Sequence, residues 1–250
     1  MPSNPALVLL FSGKRKSGKD YITDRLQQRL DENKSKIIRL SGPIKQQFAD
    51  DNGLDYSQLL TASDYKEKYR SEMITWSEAK RAQDKGYFIR EAIKMFEGLC
   101  GAMNLVWSCK KTCGLKISPL FFKTSLKWSL LFGSKYPIWI VSDMRRRSDL
   151  AWFREHHPDA VYSVRIMATE EARKKRGWVF TPGVDDAESE CDLDMVTSWD
   201  MEVDNSQEES EGHLLSVLDS LLTLCSERVL AAATAGRCDA VSNTTENQVP

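Results

Sequence analysis

The chain has 250 residues, enough for one α/β domain or two small ones with a sizeable buried core. Its formal net charge of −1, with 28% charged residues, supplies no global field to attract nucleic acid or a membrane surface. The positive charge is local: four Lys or Arg fall within residues 13–20 and a second cluster at 145–147, a distribution suited to a small anionic ligand.

In chain order, the apolar run at residues 6–11 predicts a first buried strand, and Ile22, Leu26 and Leu30 mark one face of the helix that follows. Between them lies Gly13-Lys-Arg-Lys-Ser-Gly-Lys-Asp20. Strand, glycine-bounded loop and helix form the context of a phosphate-cradling P-loop. Its glycines permit a tight turn that aims several N–H groups at phosphate oxygens, and Lys19 reaches the outer phosphates as a point charge. Asp20 stands where Ser or Thr commonly helps hold Mg²⁺, and its carboxylate is itself a hard oxygen ligand, directly or through water.

Residues 36–41 read as a second short strand, broken by Ser41-Gly42-Pro43. Residues 43–98 are polar and helix-rich, with widely spaced apolar positions such as Phe48, Leu59, Met73 and Trp76. They predict a helical excursion from the sheet whose Lys66, Lys68, Arg70, Lys80, Arg81 and Arg90 are mostly solvated. Pro137-Ile-Trp-Ile-Val-Ser-Asp143 is a continuous apolar run ending in a carboxylate. A buried parallel strand here delivers Asp143 to the sheet edge where α/β folds bind ligands. There it orients Mg²⁺ or its waters, or else caps a helix. Arg145, Arg146 and Arg147 follow at the same edge, and guanidinium groups match phosphate oxygens bidentately.

A further strand is expected at 159–168, then a helix at 170–176 with a basic end. The Gly/Pro-punctuated, acid-rich loop after it suits a lid over phosphates, with Arg173 and Arg176 as donors. A last strand at 199–204 ends in Asn205. Leu214, Leu215, Leu218, Leu221, Leu222, Cys225 and Val229 mark a helix packing back on the sheet, and residues 231–250 read as a small, polar, disordered tail. The six cysteines contain no CxxC; Cys109 and Cys113 resemble half a metal site without a second ligand pair. With no signal-type apolar core at the N-terminus, the composition predicts a reduced, intracellular protein.

Five blocks together resemble the phosphomevalonate kinases of animals. They are Ser12-Gly-Lys-Arg-Lys-Ser-Gly-Lys-Asp20, Arg39-Leu-Ser-Gly-Pro43, Tyr65-Lys-Glu67, Trp139-Ile-Val-Ser-Asp-Met-Arg-Arg146 and Arg176-Gly-Trp-Val-Phe-Thr-Pro-Gly-Val-Asp-Asp-Ala-Glu-Ser-Glu-Cys191. The resemblance spans roughly residues 6–98 and 136–230. It implies an α/β, P-loop, nucleoside-monophosphate-kinase-like three-layer fold: a parallel central sheet, a helical substrate-binding region and a lid. The expected organisation is a kinase core at 1–42 and 136–230, an acceptor-binding helical region at 43–98, a lid at 170–194 and a tail at 231–250.

The implied reaction moves the γ-phosphoryl group of ATP to the phosphate of (R)-5-phosphomevalonate, giving 5-diphosphomevalonate and ADP on the way to isoprenoids and sterols. By this resemblance residues 13–20 and Arg176 bind ATP, while Lys66, Arg81, Arg145, Arg146 and Asn205 bind substrate or assist catalysis. Lys19, Arg15, Arg145 and Arg146, with Mg²⁺, are expected to neutralise the transferring phosphoryl group. The acceptor phosphate is already ionised near neutral pH, so no general base is required. Two alternatives are a P-loop kinase for another phosphorylated acceptor, such as a nucleoside monophosphate, and an inactive nucleotide-binding relic.

Residues 99–135 have no counterpart in that resemblance and read as a surface insertion, too interrupted by Lys123 and Lys127 to span a membrane. The C-terminal Gln-Val-Pro is not a Ser-Lys-Leu-type peroxisomal signal, so the expectation is a cytosolic protein. A monomer is expected, with no nucleic acid or membrane partner.

Overall fold

The computed structural model describes residues 5–31, 33–61, 64–96, 136–206 and 211–245. Its centre is a parallel sheet of β1 (Leu7–Ser12), β2 (Ser35–Ile38), β3 (Ile138–Val141), β4 (Val161–Met167) and β5 (Met201–Asp204), in the order β2-β3-β1-β4-β5. The five strands fall where the apolar runs predict them, each shorter or longer by a few residues.

Successive side chains of a strand point to opposite faces, so β1 divides its residues between two cores. Leu7, Leu9 and Phe11 pack with Ile138, Ile140, Val164 and Ile166, under α1 (Lys19–Arg29) and α9 (Glu211–Thr245). Val8 and Leu10 pack with Trp139 and Val141, under α5 (Tyr87–Phe96) and α6 (Arg147–His156). Both faces being covered, β3 is apolar throughout and β1 apolar up to its terminal Ser12, and every residue of both is buried. This is the three-layer P-loop kinase arrangement.

α2 (Ser41–Asn52), α3 (Tyr56–Leu60) and α4 (Asp64–Gln83) form the helical excursion. They share a small core of Phe48, Ala49, Leu59 and Met73, flanked by Tyr65, Tyr69 and Trp76, separate from the two cores against the sheet. The C-terminal region differs from expectation. α9 buries Leu218, Leu221 and Cys225 as predicted and Val217 besides, leaves Leu215 exposed, and its backbone stays helical through residue 245 rather than ending near 230. The sequence after Leu230 is Ala-Ala-Ala-Thr-Ala, whose high helix propensity carries the helix onward where polarity alone suggested disorder. The 99–135 segment lies outside the described residues. Among those described, no helix is long and apolar enough to cross a membrane.

Candidate active site

The loop after β1 is shaped by two residues in the left-handed region, Lys16 (φ 61°) and Gly18 (φ 93°). Lys16 is the only non-glycine residue with positive φ among those described. Alternating conformations of this kind turn consecutive N–H groups towards one point, which makes an anion nest. The nest feeds directly into α1, whose first turn has no side-chain cap, so its N–H groups remain for a ligand. A Cβ on Gly13 would sit 2.5 Å from Ser17 Oγ and 2.7 Å from the Ile166 carbonyl oxygen, so only glycine fits against β4.

Lys19 opens α1 and is 5% exposed, with Nζ 3.8 Å from Asp20 Oδ2. Burial lowers its pKa, Arg145 adds to the lowering, and Asp20 and Asp143 oppose it. A phosphate arriving here favours the charged form and gains a strong partner. The Asp20 side chain is 65% exposed on the solvent side of the same turn.

At the exit of β3, the backbone N–H groups of Leu40 and Ser41 donate to Asp143 Oδ1 (2.6 Å) and Oδ2 (2.9 Å). α2 lacks a side-chain cap of its own, and Asp143 supplies one from a neighbouring strand. The capping alternative therefore describes its geometry, each oxygen accepting one backbone N–H.

Arg145 is half-buried and paired through Nη1 with Glu190 of α8 (Glu188–Cys191). Arg146 is buried between Glu78 of α4 and Glu188 of α8, and Arg147 turns outward to Asp192. One carboxylate holds this run in place. Asp149 Oδ2 accepts the N–H groups of Arg146 (3.1 Å) and Arg145 (3.4 Å), while Arg81 Nη1 donates to its Oδ1 (2.9 Å). Arg81, which the resemblance links to substrate binding or catalysis, lies over the Phe88 ring and braces Asp149, a carboxylate 1% exposed.

Three cations of the helical excursion face this edge. Lys45 of α2, and Lys66 and Arg70 one turn apart on α4, lie within electrostatic reach of one another and of Arg145. Burial lowers the pKa of Lys45, with Asp143 opposing, and lowers that of Lys66 to about 8, reinforced by Lys45 and Arg70. Sequence reasoning found Lys66 but missed Lys45 and left Arg70 among solvated faces. The usable signal was the i, i+4 spacing of Lys66 and Arg70, which sets both on one helical stripe.

The lid arginines divide. Arg173 of α7 (Glu170–Lys175) lies over the Trp178 ring at 3.9 Å and donates through Nε to the Arg15 carbonyl at 2.8 Å. It is buried and supports the P-loop. Arg176 reaches the loop itself, through Nη1 to the Ser17 carbonyl (3.2 Å) and Nη2 to the Asn205 carbonyl (2.6 Å). Asn205 Nδ2 donates to the same Ser17 carbonyl (2.8 Å), which sets Asn205 beside Arg176 and Gly18 of the P-loop. Lys14 pairs with Asp194 and Arg15 with Asp185 (2.8 Å), while Lys16 is exposed.

The geometry is thus a P-loop nest with Lys19, facing a second group of cations at Lys45, Lys66, Arg70 and Arg145. Comparison with known proteins places the chain in a family. Residues 11–117 match the sequence profile of the phosphomevalonate kinase family, from the P-loop through the helical excursion and into the 99–135 segment. The phosphomevalonate kinase of Drosophila melanogaster is 39% identical over 216 residues, which cover 86% of this chain and 96% of that protein. This chain belongs to the phosphomevalonate kinase family, an ATP-dependent kinase on a P-loop fold.

Proposed function

We propose that the two cationic groups divide the work of one phosphoryl transfer, from ATP to the phosphate of (R)-5-phosphomevalonate. The P-loop amides, Lys19 and Arg176 bind the nucleotide's phosphates, and Lys45, Lys66 and Arg70 bind the acceptor's. Arg145 stands between them, in electrostatic contact with Lys19 on one side and Lys45, Lys66 and Arg70 on the other. The observation that carries this reading is that shared position.

Two anions must be brought in line, so the barrier is mainly charge repulsion and positioning. Arg145 and Lys19 offset the charge on the equatorial oxygens while both substrates are held in place. Among the described residues, no cluster of three or more His, Cys, Asp or Glu is arranged to hold a metal by itself. That suits Mg²⁺ carried by nucleotide phosphates, which keeps several waters and takes one or two carboxylates. Asp20, with its exposed carboxylate beside Lys19, fits as the donor, and the spare lone pairs of Asp143 fit as a partner through water. When bound, Mg²⁺ supplies charge neutralisation of the transferring oxygens.

Two predictions separate the acceptor group from the nucleotide group. Arg70→Met raises the KM for phosphomevalonate at least tenfold, the order of one lost charge-assisted contact, and leaves the KM for ATP within about twofold. Steady-state kinetics with each substrate varied in turn checks it; equal changes in both constants contradict the division.

The second concerns pH. Lys66, with its pKa lowered to about 8, is charged below that value and neutral above it, and only the charged form binds phosphate well. A phosphate monoester is largely dianionic above about pH 6. Acceptor affinity is therefore greatest between about 6 and 8, and the KM for phosphomevalonate climbs as pH passes through 8. Lys66→Arg keeps its charge and removes the climb; a wild-type profile flat to about pH 9.5 contradicts the assignment.

A further inference from the structure

The acid-rich stretch at residues 185–194 gives a carboxylate to five cations of the P-loop and of the run after β3. Asp185 meets Arg15, Glu190 meets Arg145, Glu188 meets Arg146, Asp192 meets Arg147 and Asp194 meets Lys14. Glu190 differs from the others in what it touches. Its Oε1 pairs with Arg145 Nη1 and its Oε2 accepts the backbone N–H of P-loop residue Arg15 at 3.2 Å. Its side chain is only 4% exposed. A guanidinium together with a P-loop amide is the donor set that a phosphoryl oxygen takes.

Asp185 makes a useful contrast. It accepts Trp178 Nε1 (2.9 Å) and the Thr181 N–H (2.8 Å), which makes it the internal anchor of its own loop. Glu190 has no such local tie: its partners lie on the P-loop and after β3. The one-turn helix that carries it has no strand to drag along when it withdraws.

We propose that Glu190 is a built-in anion, holding the phosphoryl position of the free protein and yielding it when a phosphate group binds. The contact keeps Arg145 and the P-loop arranged in the absence of ligand and excludes weakly held anions from the site. It also lowers apparent affinity. A stand-in that occupies the position about nine-tenths of the time weakens phosphate binding about tenfold. The inference rests on the kinase reading only for which phosphate finally displaces the carboxylate; the competition itself concerns any phosphate oxygen.

The test is calorimetric titration of inorganic pyrophosphate into the full-length chain, without turnover. Glu190→Gln is expected to bind pyrophosphate about tenfold tighter than wild type, and Glu190→Asp, with its shorter reach, tighter by a smaller factor. Glu170→Gln removes the same charge from an exposed pair with Lys174 and is expected to stay within about twofold. Unchanged or weaker binding in the Glu190 variants overturns the proposal. So does an equal gain in Glu170→Gln, which would reduce the effect to net charge, or a lower kcat with unmoved affinity, which would make Glu190 a prop for Arg145. Should Glu190→Gln fail to fold, Glu190→Asp decides alone. Wild-type turnover of phosphomevalonate on the same preparation keeps the two readings apart: its absence removes the kinase reading, and the pyrophosphate result still stands or falls by itself.

Discussion

Lys19→Met lowers kcat by about 10³-fold while the protein remains folded, because it removes a buried donor aimed at the charge that develops on the transferring phosphoryl group. Lys19 is 5% exposed, and burial together with Arg145 disfavours its charge in the free protein. Methionine keeps the length of the stem and adds no charge to bury. The melting temperature should therefore hold or rise, since the cost of burying the charge outweighs its 3.8 Å pair with the exposed Asp20 carboxylate. Stability and turnover move in different directions, and that separation identifies a site residue rather than a core residue. Single-turnover rates at saturating ATP are the relevant measurement. A folded Lys19→Met protein with near-wild-type rates would remove the P-loop from the chemistry.

Asp149→Ala produces the largest stability loss, about 3–5 kcal/mol, the cost of breaking a buried ion pair by removing one partner. The Arg81 side chain is 11% exposed and Asp149 1%, so water cannot take over the lost contacts. Two backbone N–H groups, of Arg145 and Arg146, lose their acceptor as well. Because Asp149 fixes the run that carries Arg145, kcat falls in the surviving folded fraction, while ATP binding on the far side of Lys19 changes little. Urea denaturation followed by ATP titration at low temperature measures both effects. An unchanged denaturation midpoint would show that Arg81 and Asp149 are not the brace of this edge.

The parts legible in the sequence were those that local pattern controls. β1 and β3 are buried on both faces, so they had to appear as unbroken apolar runs, and the glycine-bounded loop between β1 and α1 could be read from its spacing. Long-range pairing was not legible. Asp143 finds its donors at Leu40 and Ser41, and Arg81 finds Asp149, across some seventy to one hundred residues, with nothing nearby in sequence to announce either pair. Lys45 escaped notice for the same reason: it is a single lysine on α2, and only the fold sets it beside Lys66 and Arg145. The acidic loop could be read from its composition, but the pairing of Asp185, Glu188, Glu190, Asp192 and Asp194 with cations could be seen only once the strands had brought 13–20, 145–147 and 185–194 to one edge.

The kinase reading depends on the acceptor as much as on ATP. ADP release by the purified full-length chain, with Mg·ATP and either phosphomevalonate or a panel of nucleoside monophosphates, tests it most directly. The two facing cationic groups predict turnover with phosphomevalonate and none with the nucleotides. Turnover with a nucleoside monophosphate alone, or no turnover by a protein that still binds ATP, would contradict it.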